Sequence, residues 1–400
     1  MLSVSEALGR ITDDIGATDG EVVPLLEATG RVLATDLAAR LTQPPFNASS
    51  MDGYALRASD LGDGQGTLTV IGRSAAGHGF PGRLEAGQAV RIFTGAPLPD
   101  GADSVVIQED CEQIGDRVSV RGGARPGRFV RPRGLDFERD QVILRAGRRA
   151  TSRDISLAAQ MGYGELTVHR RPRVAILATG DELVPPGTTP GPAQIISSIP
   201  SGLAGVIRNA GGEAVLLGIA GDTPASLDQH IRAGGDCDIL VTIGGASVGE
   251  HDLVQHALIR HGMTLDFWKV AMRPGKPLMF GRLGTRRVLG LPGNPVSAFV
   301  CARIFLVPLI ARLLGIAETE LPAATRTVAL GAPLEANGPR QHYMRAEIHR
   351  ENDETVTLPL ASQDSSLLSL LARADCLIVR PPHAPEARIG EAVEVLLLDF

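Results

Sequence analysis

Apolar runs that alternate with amphipathic stretches occupy the middle of the chain. "RVAILAT" (173–179), "AVLLGIA" (214–220), "DILVTIG" (238–244) and "RRVLGLPG" (286–293) are separated by helical spacing near 201–210, 224–233 and 253–261. A strand apolar at nearly every position is covered on both faces, so this alternation predicts a parallel sheet between helical layers. On either side the texture differs. Residues 45–133 hold short runs such as "TLTVIG", "AVRIFTG" and "DSVVIQED" between Gly and Pro clusters, the pattern of a small β-rich unit. That unit interrupts an outer region of helices and strands. In this region "SVSEALGRI" and "TSRDISLAAQMGYG" have helical spacing, the second with Thr151 or Ser152 as its cap and Gly162 as its stop. From 324 onward "TRTVALG", "YMRAEIHR", "TVTLPLA", "CLIVRPP" and "AVEVLLLDF" read as a compact β unit. The longest apolar stretch, 298–316, is broken by Arg303, Pro308 and Arg312. It predicts a buried core helix that kinks or restarts at Pro308 rather than a membrane span.

At 400 residues the chain exceeds one ordinary core and predicts two to four domains. The net charge is −6 and no run of five like charges occurs, so neither nucleic acid nor a membrane surface is expected as a partner. Any anion site must be local. Cys111, Cys237, Cys301 and Cys376 lie more than sixty residues apart without a CxxC pair, which predicts four reduced thiols in a cytoplasmic protein. The first residues include Glu6 and Arg10 and carry no apolar secretory core.

Candidate chemistry collects where the predicted strands end. In an open parallel sheet, ligands sit beyond the carboxyl ends of the strands, and "VTIGGASVGEHD" (241–252) emerges there. Gly244, Gly245 and Gly249 would let backbone N–H groups approach a phosphate, with Asp252 opening the next helix. The spacing is neither GxGxxG nor GxxxxGK[ST], so a tight turn with Asp252 as a simple N-cap is an equal reading. Three further strand ends carry polar groups: Thr179, Asp181 and Glu182 in "ATGDELV", Asp222 in "IAGDTPASL", and Pro292, Gly293, Asn294 and Pro295 in "GLPGNPVSAF". Carboxylates beside such loops suggest Mg²⁺ held with substrate phosphates, although each acid, Asp222 above all, also reads as a helix cap. Lys269, Arg273 and Lys276, beside Pro274 and Pro277, offer cations on a stiff backbone.

Six stretches in order, "PPFNASSMDGYALR", "VRIFTGAPLPDGADSVVIQED", "RPRVAILATGDELV", "VTIGGASVGEHD", "FWKVAMRPGKPLMFG" and "GLPGNPVSAF", make nearly the whole chain resemble the molybdopterin molybdenumtransferases, the MoeA-like family that includes the E domain of gephyrin. The resemblance implies an elongated α/β plus β chain. It would have an outer domain (1–44 with 134–167), a β-rich insertion (45–133), a three-layer α/β molybdopterin-binding domain (168–318) and a C-terminal small β-barrel domain (319–400). It further implies a homodimer that inserts molybdenum from molybdate into adenylylated molybdopterin with Mg²⁺ and releases AMP. By motif position, Asp222 and Asp252 would hold Mg²⁺ or orient its water. Glu182 would position the pterin or ribose or accept a proton, and Gly244, Gly245, Ser247 and Gly249 would cradle phosphate. Lys269, Arg273 and Lys276, with the loop at 291–295, would attract molybdate and the dithiolene end. Asp52 and Thr94 of the partner subunit would close the cleft, although "SMDGYA" is also a good turn sequence. Arg131, Arg133, Asp136 and Ser365 are further candidates, and other proteins of molybdenum-cofactor biosynthesis are candidate partners.

Two departures from the family pattern stand out. Arg273 replaces a lysine before Pro274, and Ser197, Ser198 and Ile199 replace an Asp-Ser-Asn. The second change favours a rival reading as a non-catalytic carrier of molybdopterin or its molybdenum form. Intact Glu182, Asp222 and Asp252 favour the enzyme. An enzyme of the preceding adenylyl transfer would share the α/β domain but not the β insertion.

Overall fold

A computed structural model describes residues 1–245, 253–318, 325–351 and 354–398. Ser247, Gly249 and Asp252 lie outside the described residues. The central sheet has six strands in the order Glu213–Ala220, Arg173–Thr179, Ile239–Ile243, Arg286–Leu291, Pro277–Leu283 and Thr264–Lys269. The first four are parallel, as their apolar runs predict, and the last two are antiparallel. The sheet is therefore mixed rather than purely parallel. Gly284, at φ 61°, allows the tight reversal between Pro277–Leu283 and Arg286–Leu291, and Pro277 is tolerated as the first residue of its strand.

Period-two alternation divides the core between the two faces of the sheet. Val174 and Ile176 face a layer that includes Leu203, Ile207, Phe299 and Phe305, whereas Ala175 and Leu177 face Leu227, Ile231, Val254 and Leu258. The first layer is built from Ile199–Ala210 and the long apolar helical segment from Pro295 to Leu313, which is largely buried in the protein. That segment runs as α-helix to Cys301, widens into a π turn at Ala302–Leu306 and resumes as α-helix at Val307. Pro308 thus sits in the first turn of the restarted helix, where its missing N–H is harmless. The amino-terminal helix Val4–Thr12, closed by a capping box between Ser3 and Glu6, buries Val4, Ala7 and Ile11 in the same core.

Outside this domain, Gly20–Pro24 pairs with Glu165–His169, and Leu37–Ala38 pairs with Val142–Leu144. Helix Ser152–Gln160 starts at Thr151, whose side chain forms a capping box with Asp154, and Gly162 follows it at φ 95°. The β-rich insertion is a six-stranded sheet, and Ala48–Ser49 pairs with Val130–Arg131 where the chain enters and leaves it. At the carboxyl end Arg326–Leu330, Gln341–Glu351, Glu354–Pro359, Cys376–Arg380 and Ala392–Leu397 close into a barrel, because Gln341–Glu351 pairs with both Glu354–Pro359 and Cys376–Arg380. Met272–Arg273 joins that barrel beside Gln341–His342, which ties the α/β domain to it.

Candidate active cleft

The register of the parallel strands places their carboxyl ends side by side: Thr179 opposite Ala220, Ala178 opposite Ile243, and Ile243 opposite Leu291. Four loops leave one edge together. Beneath them the Thr179 hydroxyl, buried, donates to the Ile243 carbonyl at 3.2 Å and ties two strand ends. Gly244 and Gly245 both adopt left-handed backbone, at φ 91° and 64°. A Cβ on Gly244 would lie 2.8 Å from the Thr179 carbonyl oxygen, and one on Gly293 would lie 3.7 Å from Gly244 Cα. Only glycine allows the loop after Ile239–Ile243 to pass this closely over its neighbours.

Three connected cavities follow this edge. One of about 510 Å³ is lined by Lys269, Lys276, Glu182, Gly244, Gly245 and the Pro292–Asn294 loop. It shares Glu182, Gly244, Gly293 and Asn294 with a second of about 290 Å³, which also meets Thr179, Ser197, Ser198, Ile199, Pro295 and Ser366. The second shares Leu183, Ser197 and Pro200 with a third of about 530 Å³, which is bordered by Asp181, Pro185, Pro186, Leu216 and Ile219. The result is one cleft, cationic at one end, glycine-walled in the middle and apolar at the other.

The basic segment is divided by the fold. The Val270 amide donates to the Lys276 carbonyl at 3.0 Å, which holds Lys269 and Lys276 across one small loop at the cleft. Lys269 Nζ stands 3.8 Å from the ring centroid of Trp268, the one tryptophan of the chain. Arg273 does not line these cavities. Its strand pairing carries it to the barrel beside His342, which is half-buried near Arg273, Arg340 and Arg380. Burial, and then those three guanidinium groups, push the His342 pKa down to about 4.

Among the acids, Asp181 Oδ1 accepts from the Asp222 amide at 2.9 Å, so the loops after Thr179 and Ala220 are joined. Asp222 is not a helix cap. Thr223 caps Pro224–Ala233 with its own side chain, and the exposed Asp222 carboxylate has no hydrogen-bond partner among the described residues. Among those residues no three His, Cys, Asp or Glu side chains form a group able to hold a metal unaided.

The barrel contributes a wall that sequence reasoning found only in part. Asn294 Nδ2 donates to Ser365 Oγ at 3.2 Å, and the Val296 amide donates to the Ser365 carbonyl at 3.1 Å. Ser366 and Ile195 also line the cleft and were not expected there. The "SQDSS" stretch was the available signal for Ser366. In the insertion, Asp52 Oδ1 accepts from Thr94 twice, from the amide at 2.7 Å and the hydroxyl at 2.8 Å. Those bonds, the amide first, hold the Asp52 carboxyl below its ordinary range. At the base of the insertion Arg131 pairs opposite Ala48, the Arg133 amide donates to Asn47 Oδ1 at 2.9 Å, and the Asp136 amide donates to the Gln43 carbonyl at 3.0 Å. All five of these residues are exposed, and none lines the three cavities.

Family models match most of the chain: "MoeA N-terminal region (domain I and II)" over residues 2–162, "Probable molybdopterin binding domain" over 175–312 and "MoeA C-terminal region (domain IV)" over 327–398. The chain is 36% identical to the molybdopterin molybdenumtransferase of Nostoc sp. over 96% of its own length and 89% of the relative's. It is 33% identical to that of Haemophilus influenzae, covering 99% and 98%. Two crystal structures of a molybdopterin biosynthesis moeA protein from Pyrococcus horikoshii superpose with TM-scores of 0.87 and 0.81. Their identities are 30% and 27%, and they cover 100% and 99% of this chain and 100% of their own.

Proposed function

The chain belongs to the molybdopterin molybdenumtransferase family, a transferase inserting molybdenum in molybdenum cofactor biosynthesis, and we propose that its substrates are adenylylated molybdopterin and molybdate, with release of AMP. The observation that carries this reading is the continuous cleft at the carboxyl edge of the sheet, with Lys269 and Lys276 at one end and an apolar trough at the other. Such a shape suits an elongated substrate with an anionic metal-binding end and an aromatic end joined through phosphates.

Cleaving a phosphoanhydride requires neutralised charge and fixed geometry. Lys269 and Lys276 supply fixed positive charge where molybdate and the dithiolene would lie. The left-handed Gly244 and Gly245 bring backbone close to a phosphate, and Gly293 leaves that approach open. Glu182, which faces two of the cavities, is placed to orient the substrate or accept a proton. The sparse carboxylates fit Mg²⁺ bound through one or two protein oxygens plus substrate phosphates, not an all-protein cage. Asp222, whose carboxylate is unengaged, would hold it together with Asp252, and the ion would supply charge neutralisation at the anhydride. Asp52 and Thr94, which line no part of the cleft in their own chain, would complete it from a second subunit, as the family resemblance implies.

AMP release from adenylylated molybdopterin, with molybdate and Mg²⁺ supplied, tests the proposal. Lys276→Ala should lower the rate by about 100-fold, the usual cost of losing one electrostatic stabiliser, and chelating Mg²⁺ should abolish it. A wild-type protein that binds the adenylylated pterin yet releases no AMP would overturn the reading.

A further inference from the structure

We infer that Arg345 is a positioning residue for the cleft: from inside the barrel its guanidinium fixes the 362–367 loop, which carries Ser365 to the helix at Pro295 and Ser366 to the cavity wall. The inference rests on the reading of this cleft as the substrate site.

Arg345 is 1% exposed and has no ion-pair partner among the described residues. It donates instead to three carbonyls of one loop: Nη1 to Leu367 at 3.1 Å, and Nη2 to Ser362 at 3.0 Å and to Asp364 at 2.9 Å. The loop grips back. Gln363 Oε1 accepts from the Arg345 amide at 2.9 Å, while Gln363 Nε2 donates to the carbonyls of Arg345 and Leu360, both at 3.0 Å. Burying a guanidinium with no carboxylate in ion-pair contact is costly, Asp364 acting on it only at longer range, and an apolar side chain would fill the space at less cost. What only a planar five-donor group can do is reach carbonyls at several points of one loop together. On its outer side the loop presents the Ser365 carbonyl to the Val296 amide and the Ser365 hydroxyl to Asn294. Asp364 Oδ1 accepts from both the amide and the hydroxyl of Ser366, at 2.9 and 2.8 Å. The buried fork and the cleft wall are therefore two faces of the same six residues.

The test combines AMP-release kinetics with amide hydrogen exchange on Arg345→Lys, Ser365→Ala, the double variant and Val395→Ala. The last thins the barrel core from a strand that pairs with Arg326–Leu330 and Cys376–Arg380 and not with the loop. Arg345→Lys keeps the charge and loses the fork, so we expect KM for molybdate to rise about tenfold with kcat little changed, and exchange at the Val296 amide to quicken. Adding Ser365→Ala should then cost less than about twofold, because the loop is already displaced. Val395→Ala should lower Tm and leave KM alone. Wild-type KM in Arg345→Lys, or losses that multiply in the double variant, would overturn the inference. Gln363→Met, which opens the clasp from the loop side, carries the same expectations should Arg345→Lys not fold. Exchange at Val296 needs no turnover. Unchanged protection there would overturn the positioning role even if the cleft proved to act on another substrate, whereas absent AMP release with quickened exchange would sink only the substrate reading.

Discussion

Asp52 and Gly244 are constrained by different physics, and their variants should fail differently. Two donors from Thr94 converge on one oxygen of Asp52 and depress its pKa, so the ionised form persists below the ordinary carboxylate range and is lost only as pH falls through that lowered value. Asp52 therefore cannot set an acid limb near pH 4–6. Asp52→Asn should lower AMP release by about 100-fold at every pH without moving the limbs of the pH–rate profile. A profile whose acid limb shifts would contradict this. At Gly244 the constraint is backbone. With φ at 91° and the Thr179 carbonyl 2.8 Å from a new Cβ, Gly244→Ala should destabilise the fold by about 1–3 kcal/mol, seen as a lower calorimetric Tm, and should weaken phosphate binding as the loop lifts.

Elements with an unambiguous period were legible from residues alone. The strands at 173–179, 239–243 and 286–291 are apolar throughout because both faces are covered, and helix Pro224–Ala233 shows in its spacing, although its cap is Thr223 and not Asp222. What stayed hidden depends on partners distant in sequence. The stretch 267–281 reads as a stiff basic segment because Pro274 and Pro277 stand beside its cations, and only pairing with each other and with Arg286–Leu291 makes Thr264–Lys269 and Pro277–Leu283 strands. The separation of Arg273 from Lys269 and Lys276 is likewise decided by the barrel strand at Gln341, which no local pattern reveals. Ser366 enters the cleft only because the barrel docks there. Helix contacts add a further test at this scale. An ideal Cβ on Gly202 would sit 2.4 Å from Phe299 Cζ, so Ile199–Ala210 and the helix at Pro295 are packed against each other there. Gly202→Ala should cost about 1–3 kcal/mol by overpacking, and Phe299→Leu should restore part of it. Strictly additive losses in denaturant unfolding would show that the helices are not in contact at this point.

Across the whole molecule, the junction of barrel and α/β domain carries a pH signature, and the insertion carries a geometric one. His342 stands among Arg273, Arg340 and Arg380 with its pKa pushed down to about 4, so the folded protein keeps it neutral where the unfolded chain, with an ordinary value near 6.5, takes up a proton. Stability should thus decline as pH falls from about 6.5 to about 4, and Tm measured across that window should decline less steeply in His342→Gln. The geometric signature concerns Asp52 and Thr94, held rigidly against each other yet lining none of the cleft in their own chain. If a second copy brings them to it, each cleft needs the α/β domain of one subunit and the insertion of the other. A heterodimer of Asp52→Asn and Lys276→Ala subunits then has one doubly damaged cleft and one intact cleft. Because a cleft built from two chains can be rebuilt by exchange, mixing the two inactive homodimers through unfolding and refolding should restore about a quarter of wild-type AMP release, half the dimers being mixed with one working cleft in two. Recovery near zero, with mixed dimers confirmed by differential tags, would mean that Asp52 serves the cleft of its own chain.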